Sequence, residues 1–141
     1  MTDEWHTEMF LAQVGDRGEY RTPSEADRAA RVVLALLGAH LNGRVRAELA
    51  ARLPEEFALV LLNPLPAAEP LSAERLVRAT AAWIEGATEA TALWDLGAVL
   101  SVVADTAGEP LMTQVLAQLP ADWPPLFGSP APAAGRLSRA G

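Results

Sequence analysis

The chain has 141 residues and a formal net charge of −7, and half of its residues are hydrophobic. The acidic balance disfavours nucleic acids and anionic membranes as partners. The chain has no cysteine and all eleven of its Lys/Arg residues are arginine, which excludes thiolate zinc sites, cysteine nucleophiles and Schiff-base lysines. No uninterrupted apolar run reaches the ~18 residues that span a bilayer. The acidic N-terminus lacks a secretory signal pattern, so we expect a cytoplasmic location.

Apolar residues recur at helical spacing along most of the chain, which predicts helices and no strands. The first predicted helix carries Met9, Phe10 and Val14. The second begins at Thr22–Glu25, where Thr is placed as N-cap, Pro as first helical residue and Glu as the partner in a capping box. We expect it to end at Asn42–Gly43, since both residue types tolerate positive φ.

The next elements are bounded by proline. A third helix is predicted from Arg44 to Arg52, ended by Leu53–Pro54, because proline disfavours helical geometry in the residue before it. A fourth runs from Glu55 to Leu62, with carboxylates in its first turn. The prolines that follow predict a linker over residues 63–71.

The second half repeats this order of elements. Ser72 is the predicted cap of a helix that runs to about Glu85, and Thr88 caps the next, which has few charges and is predicted to be the most buried. A further helix ends at Gln118, and Pro124–Pro125 should shorten the last one. Residues 129–141 predict a flexible tail.

The two halves align at a constant offset of 66 residues, with Leu53–Phe57 against Leu119–Trp123. The correspondence falls on apolar positions and helix breakers, whereas surface charges differ, so packing is what the copies share. We therefore predict an all-α fold of about 7–8 helices, in which two tandem four-helix repeats pack with pseudo-two-fold symmetry. The predicted units are repeat 1 (1–62), the linker (63–71), repeat 2 (72–128, packed with repeat 1 as one unit) and the tail (129–141).

Two stretches resemble the bacterial DUF2267 family. They are Leu116–Trp123 with Leu126–Phe127 after it, and Leu49–Phe57 with Ala29–Leu34 before it. The resemblance covers roughly Phe10 to Gly128 and implies a doubled helical pattern in which a Leu-Pro step is followed by an acid and an aromatic residue. That family has no established biochemical activity, so the resemblance assigns no catalytic residue. Pro124–Pro125 depart from its pattern.

Few polar residues are candidates for chemistry. His6 and His40 are the only histidines, and neither is clustered with carboxylates in a way that predicts a metal site. Glu55 and Glu56 are adjacent, so they diverge on a helix and fit helix-start stabilisation instead of catalysis. Asp95 lies in the apolar helix and needs a partner or a raised pKa; we favour a structural pair with Arg75 or Arg78.

The tryptophans and arginines are the remaining candidates. We expect Trp5 to be exposed and the other three to be mainly packed, with Trp123 in the core at the position that matches Phe57. Exposed aromatic residues anchor partners, so Trp5, Trp83, Trp94, Asp95 and His40 are the candidate ligand or partner contacts. The densest basic region is expected to pair with carboxylates; it consists of Arg28, Arg31, Arg44, Arg46 and Arg52.

Three functions remain open at this point. The favoured one is a non-catalytic helical module for protein interaction or regulation, with an unknown protein partner or self-association, and with no catalytic residue, metal, cofactor, nucleic acid or membrane. The second is a small-ligand-binding protein or enzyme whose site lies between the repeats, around Asp95 and the tryptophans. The third is a self-assembling structural protein.

Overall fold

Helices form all the regular secondary structure of the residues that the computed structural model describes, 2–63 and 70–128. The helices are α1 (Thr2–Gly18), α2 (Pro23–Gly38), α3 (Gly43–Ala50), α4 (Glu55–Leu62), α5 (Ala73–Trp83), α6 (Glu89–Ala107), α7 (Glu109–Gln118) and α8 (Pro124–Gly128). The described ranges contain no strand, which confirms the predicted all-α class. The predicted tail and residues 64–69 of the predicted linker lie outside the described residues.

Three predicted helix starts are confirmed by their caps. The Thr22 hydroxyl accepts a hydrogen bond from the backbone N–H of Glu25 at 3.2 Å, and the Glu25 carboxylate accepts one from the N–H of Thr22 at 3.3 Å. Thr88 and Thr91 form the same reciprocal pair at the start of α6. The Ser72 side chain caps α5. Each cap satisfies a backbone donor that the first turn leaves unpaired.

The predicted end of α2 is wrong. The helix ends at Gly38, and the following residue, Ala39, keeps right-handed helical angles. Asn42 is extended, with φ −98°, and is the N-cap of α3, while Gly43 is the first residue of that helix. An extended N-cap is the usual entry into a helix, so the Asn-Gly pair begins the next element instead of ending the last one.

The prediction of a shortened last helix is confirmed. Helix α8 has five residues and begins at Pro124, whereas α4 has eight. Proline fits the first turn of a helix because its missing N–H has no intrahelical acceptor there.

Helix α6 lies at the centre of the packing, against α1, α2, α5, α7 and α8. One continuous cluster of buried side chains includes residues from all eight described helices, among them Phe57 and Trp123, which are fully buried. Of the described helices, α6 alone has the length and composition to cross a membrane, with a mean hydropathy of 1.2, but half of that window is buried inside the protein. A helix in the buried core of a protein can have this length and composition without crossing a membrane.

Two pairs of helix starts in the two halves have the same spacing. Helices α2 and α6 begin 66 residues apart, and so do α3 and α7. The caps Thr22 and Thr88 have the same separation, as do the buried aromatic residues Phe57 and Trp123.

Candidate functional site

The end of α1 places the only tyrosine of the chain over the start of α6. Glu19 takes a left-handed conformation, with φ 54°, and the backbone N–H of Tyr20 donates to the carbonyl of Gly15 at 3.0 Å. This turn brings the Tyr20 ring against Gly18, where a Cβ atom would overlap the ring. A side chain at position 18 would therefore force the Tyr20 ring to move.

Tyr20 donates a hydrogen bond from its hydroxyl to Oδ1 of Asp95. Asp95 is 8% exposed and is the one buried carboxylate of the described residues. Burial raises the pKa of the Asp95 carboxyl, the hydrogen bond from Tyr20 lowers it and the charge of Glu25 raises it, with a net rise. Burial, with the adjacent carboxylate, also raises the pKa of Tyr20, so its hydroxyl stays a donor.

The predicted pairing of Asp95 with Arg75 or Arg78 is wrong. Arg78 forms ion pairs with Glu74 and Glu89 at the surface. The true partner, Tyr20, lies 75 residues earlier in the chain, on the other side of the junction between the halves.

Trp94 is tied to the same turn but faces outward. Its indole N–H donates to the carbonyl of Gly18 at 2.8 Å. The side chain nevertheless remains 53% exposed, and the adjacent Leu93 is 49% exposed. The hydrogen bond fixes the Trp94 ring at the surface. We call the two exposed side chains, Leu93 and Trp94, the anchor surface.

The other tryptophans divide between core and surface. Trp123 is fully buried, as predicted, and Trp5 is exposed, as predicted. The expectation that Trp83 and Trp94 are mainly packed is wrong, because both are more than half exposed.

A cavity of about 220 Å³ opens beside the Tyr20–Asp95 pair, and we call it the junction cavity. It lies between the segment that joins α1 to α2 and the segment that joins α5 to α6. Its lining residues are Tyr20, Glu25, Arg28, Ala29, Ile84, Glu85, Gly86, Ala87, Thr91 and Asp95. No tryptophan and no histidine lines it, so of the candidate contacts predicted for a pocket between the repeats only Asp95 is there.

The charged groups of this cavity do not neutralise one another. Among residues 5–63 and 70–127, whose side chains the structure describes, Asp95 Oδ2 has no hydrogen-bond partner, and Glu25 uses only Oε1, which accepts from the backbone N–H groups of Arg21 and Thr22. Within the same ranges, Arg28 has no carboxylate oxygen within 4.0 Å. Opposite charges therefore share the cavity without forming an ion pair.

A second cavity, of about 380 Å³, lies between α1 and α6 and is lined by Gln13, Asp16, Arg17, Asp105 and Thr106. Arg17 and Asp105 form an ion pair with each other there. This pairing satisfies Arg17 and Asp105, so Asp16 is the one charged lining residue outside the pair.

His40 has a structural role. Its Nδ1 donates to the carbonyl of Leu36 at 2.8 Å, and its Nε2 accepts from the backbone N–H of Leu71 at 2.9 Å, a pattern that assigns the neutral tautomer with the proton on Nδ1. Its ring lies 4.6 Å from that of Trp123, whose indole N–H donates to the carbonyl of Leu71. Both backbone polar groups of Leu71 are thus bonded, the N–H to His40 and the carbonyl to Trp123.

The basic region follows the predicted pairing only in part. Arg31 pairs with Asp27 and Glu56, and Arg44 pairs with Glu48. The other members differ: Arg46 donates to the carbonyl of Leu41, Arg52 donates to that of Ala107, and Arg28 lines the junction cavity. In the part of the chain that the structure describes, no three His, Asp or Glu side chains are grouped to hold a metal ion.

Sequence reasoning singled out Asp95 but missed Tyr20. The signal that could have found Tyr20 is the 66-residue offset. It aligns Tyr20 with Gly86, and it aligns Ala29 with Asp95. All four of these residues line the junction cavity, so the two halves differ in chemistry at this cavity.

These features define an all-helical protein in which the turn at the end of α1, Gly18–Tyr20, is joined to the central helix α6 by hydrogen bonds. Residues 7–126 match the family described as an uncharacterized conserved protein, DUF2267. The chain belongs to the DUF2267 family, which confirms the resemblance in its sequence. A comparison with curated proteins found no match.

Proposed function

We propose that this chain is a non-catalytic helical interaction module that binds a basic segment of a protein partner through its anchor surface, Leu93 and Trp94. The observation that carries this proposal is the state of Trp94, whose ring is held by the Gly18 carbonyl and is still half exposed. Tryptophan is enriched among residues that dominate binding energy. A ring that is fixed before binding loses little conformational entropy when a partner covers it.

The charge around the anchor surface supports a basic partner. Glu19 follows Gly18 directly and is exposed. Glu89 lies one helical turn before Leu93 and is also exposed; its ion-pair partner, Arg78, is shared with Glu74. Residues 63–128 as a whole carry eight acidic residues against two arginines. Such a surface attracts a cationic segment and repels nucleic acids and anionic lipids.

We also propose that the two halves are tandem repeats related by pseudo-two-fold symmetry, and that the chain is cytoplasmic. Matching caps, matching helix starts and the buried pair Phe57 and Trp123, all 66 residues apart, support the repeat. A chain with no cysteine has no disulfide to lose in a reducing compartment.

The test is capture by the immobilised full chain from a lysate of the source organism, quantified by mass spectrometry. The wild type is compared with Leu93→Ser, and with Leu59→Ser as a matched control, since Leu59 is equally exposed on α4. We expect at least one protein to be retained by the wild type and by Leu59→Ser but lost with Leu93→Ser. Its purified form should bind more weakly as salt rises.

Two outcomes would overturn the proposal. One is that no retained protein depends on Leu93. The other is that sedimentation velocity finds a dimer of this chain that Leu93→Ser converts to a monomer, which would assign the surface to self-association and favour a self-assembling structural protein.

A further inference from the structure

The junction cavity holds separated charges of both signs, and neither Leu93 nor Trp94 of the anchor surface lines it. Asp95 brings a buried carboxylate whose Oδ2 has no partner in the described ranges. Arg28 brings a guanidinium that no described carboxylate reaches. Tyr20 is a donor to Oδ1 of Asp95 only, so the second oxygen, Oδ2, favours a ligand with a hydrogen-bond donor.

The lining selects a ligand with two charged ends. An ammonium group offers three donors and no acceptor, which matches the free oxygens of Asp95 and Glu25. A carboxylate accepts two parallel hydrogen bonds from a guanidinium, which matches Arg28. An anion alone would meet the carboxylates of Asp95 and Glu25, and a cation alone would leave Arg28 without a partner.

We infer that the junction cavity binds a small zwitterion with an ammonium group and a carboxylate, the chemistry of a free amino acid, with Asp95 and Glu25 taking the ammonium and Arg28 taking the carboxylate. The volume of about 220 Å³ is below the roughly 300–1,000 Å³ of pockets for larger ligands. This volume suits a single small molecule. Tyr20 orients the Asp95 carboxylate by holding Oδ1, which leaves Oδ2 for the ligand.

The test begins with thermal unfolding of the full chain in the presence of each common L-amino acid in turn, at concentrations of about 10 mM. A ligand that binds only the folded chain raises the unfolding temperature. The amino acid with the largest effect is then compared, by titration calorimetry, with its decarboxylated amine and its deaminated acid. We expect binding of the amino acid to be roughly tenfold or more tighter than binding of either counterpart.

Arg28→Gln is the decisive variant because Arg28 is exposed and forms no described ion pair that folding would lose. We expect it to weaken binding of the amino acid about tenfold or more and to leave binding of the amine unchanged. Arg75→Gln is the matched control, since Arg75 is also exposed and does not line the cavity. Asp95→Asn should weaken binding of both the amino acid and the amine.

Three results would overturn this inference: no amino acid raises the unfolding temperature, the amine binds as tightly as the amino acid, or Arg28→Gln binds the amino acid as the wild type does. None of them bears on Leu93, so the proposed function is judged separately.

Discussion

The hydroxyl of Tyr20 donates to the buried carboxylate of Asp95, and this bond joins two residues that lie 75 positions apart. Tyr20→Phe removes the only described donor to that carboxylate. We expect the free energy of unfolding to fall by about 1–3 kcal/mol, because the acceptor stays buried. Urea denaturation followed by circular dichroism measures the change.

A double-mutant cycle supplies the control for this bond. In an Asp95→Leu background there is no carboxylate to leave unpaired, so Tyr20→Phe should cost much less there. Equal costs in both backgrounds would show that the hydroxyl acts independently of Asp95.

The titration of Asp95 should make stability depend on pH in a defined direction. The pKa of Asp95 is raised in the folded chain, mainly by burial, so the folded state holds this proton more tightly than the unfolded state. The contribution of Asp95 to stability is therefore fully present below its ordinary pKa of about 3.9 and is lost as pH rises through the raised value.

Asp95→Asn isolates this effect because asparagine stays neutral. The stability of the wild type minus that of Asp95→Asn should decrease as pH rises from about 4 through the raised pKa and then level off. Urea midpoints measured across this range provide the difference. A difference that grows with pH would mean that the pKa is lowered.

Two glycines of α1 make a matched pair. A Cβ atom at Gly15 meets no other atom within 4 Å, whereas one at Gly18 overlaps the Tyr20 ring. We expect Gly15→Ala to be neutral or to stabilise by up to about 1 kcal/mol, since alanine favours helix. Gly18→Ala should instead destabilise, because the ring must leave Asp95, and Trp94 fluorescence should change.

The Gly18 prediction has an internal control. With Tyr20→Ala as the background, Gly18→Ala has no ring to displace and should be tolerated like Gly15→Ala. If Gly18→Ala is equally destabilising without the ring, then the ring is not the reason for glycine at this position.

The protection of the Leu71 amide from hydrogen exchange should depend on His40. His40→Phe keeps a ring beside Trp123 but removes the acceptor of the Leu71 N–H. We expect a loss of about 1–3 kcal/mol and faster hydrogen exchange of the Leu71 amide. Trp83→Phe, at an exposed position, should stay within about 0.5 kcal/mol of the wild type. Unchanged exchange at Leu71 in His40→Phe would contradict the assigned hydrogen bond.

Local signals in the sequence were sufficient for most of the helix starts. Thr22, Ser72 and Thr88 act through backbone groups three residues away, so their roles follow from spacing alone. Asn42–Gly43 was misread because the same residue types suit the end of one helix and the entry to the next.

The candidate site depended on long-range contacts and was mostly beyond sequence reasoning. The predicted partners of Asp95, Arg75 and Arg78, lie on the preceding helix of its own half, but the turn after α1 brings Tyr20 from the other half. The bond that fixes the Trp94 ring reaches the carbonyl of Gly18, 76 residues earlier, which no periodicity predicts.

The most direct test of the interaction function is photo-crosslinking from position 93. A photoreactive phenylalanine analogue replaces Leu93, and the same analogue at Leu59 is the control at an equally exposed site. The account predicts that position 93, and not position 59, crosslinks in the lysate to an Arg- or Lys-rich segment of a different protein. Crosslinks only to a second copy of this chain, to an acidic segment or to nothing at all would contradict it.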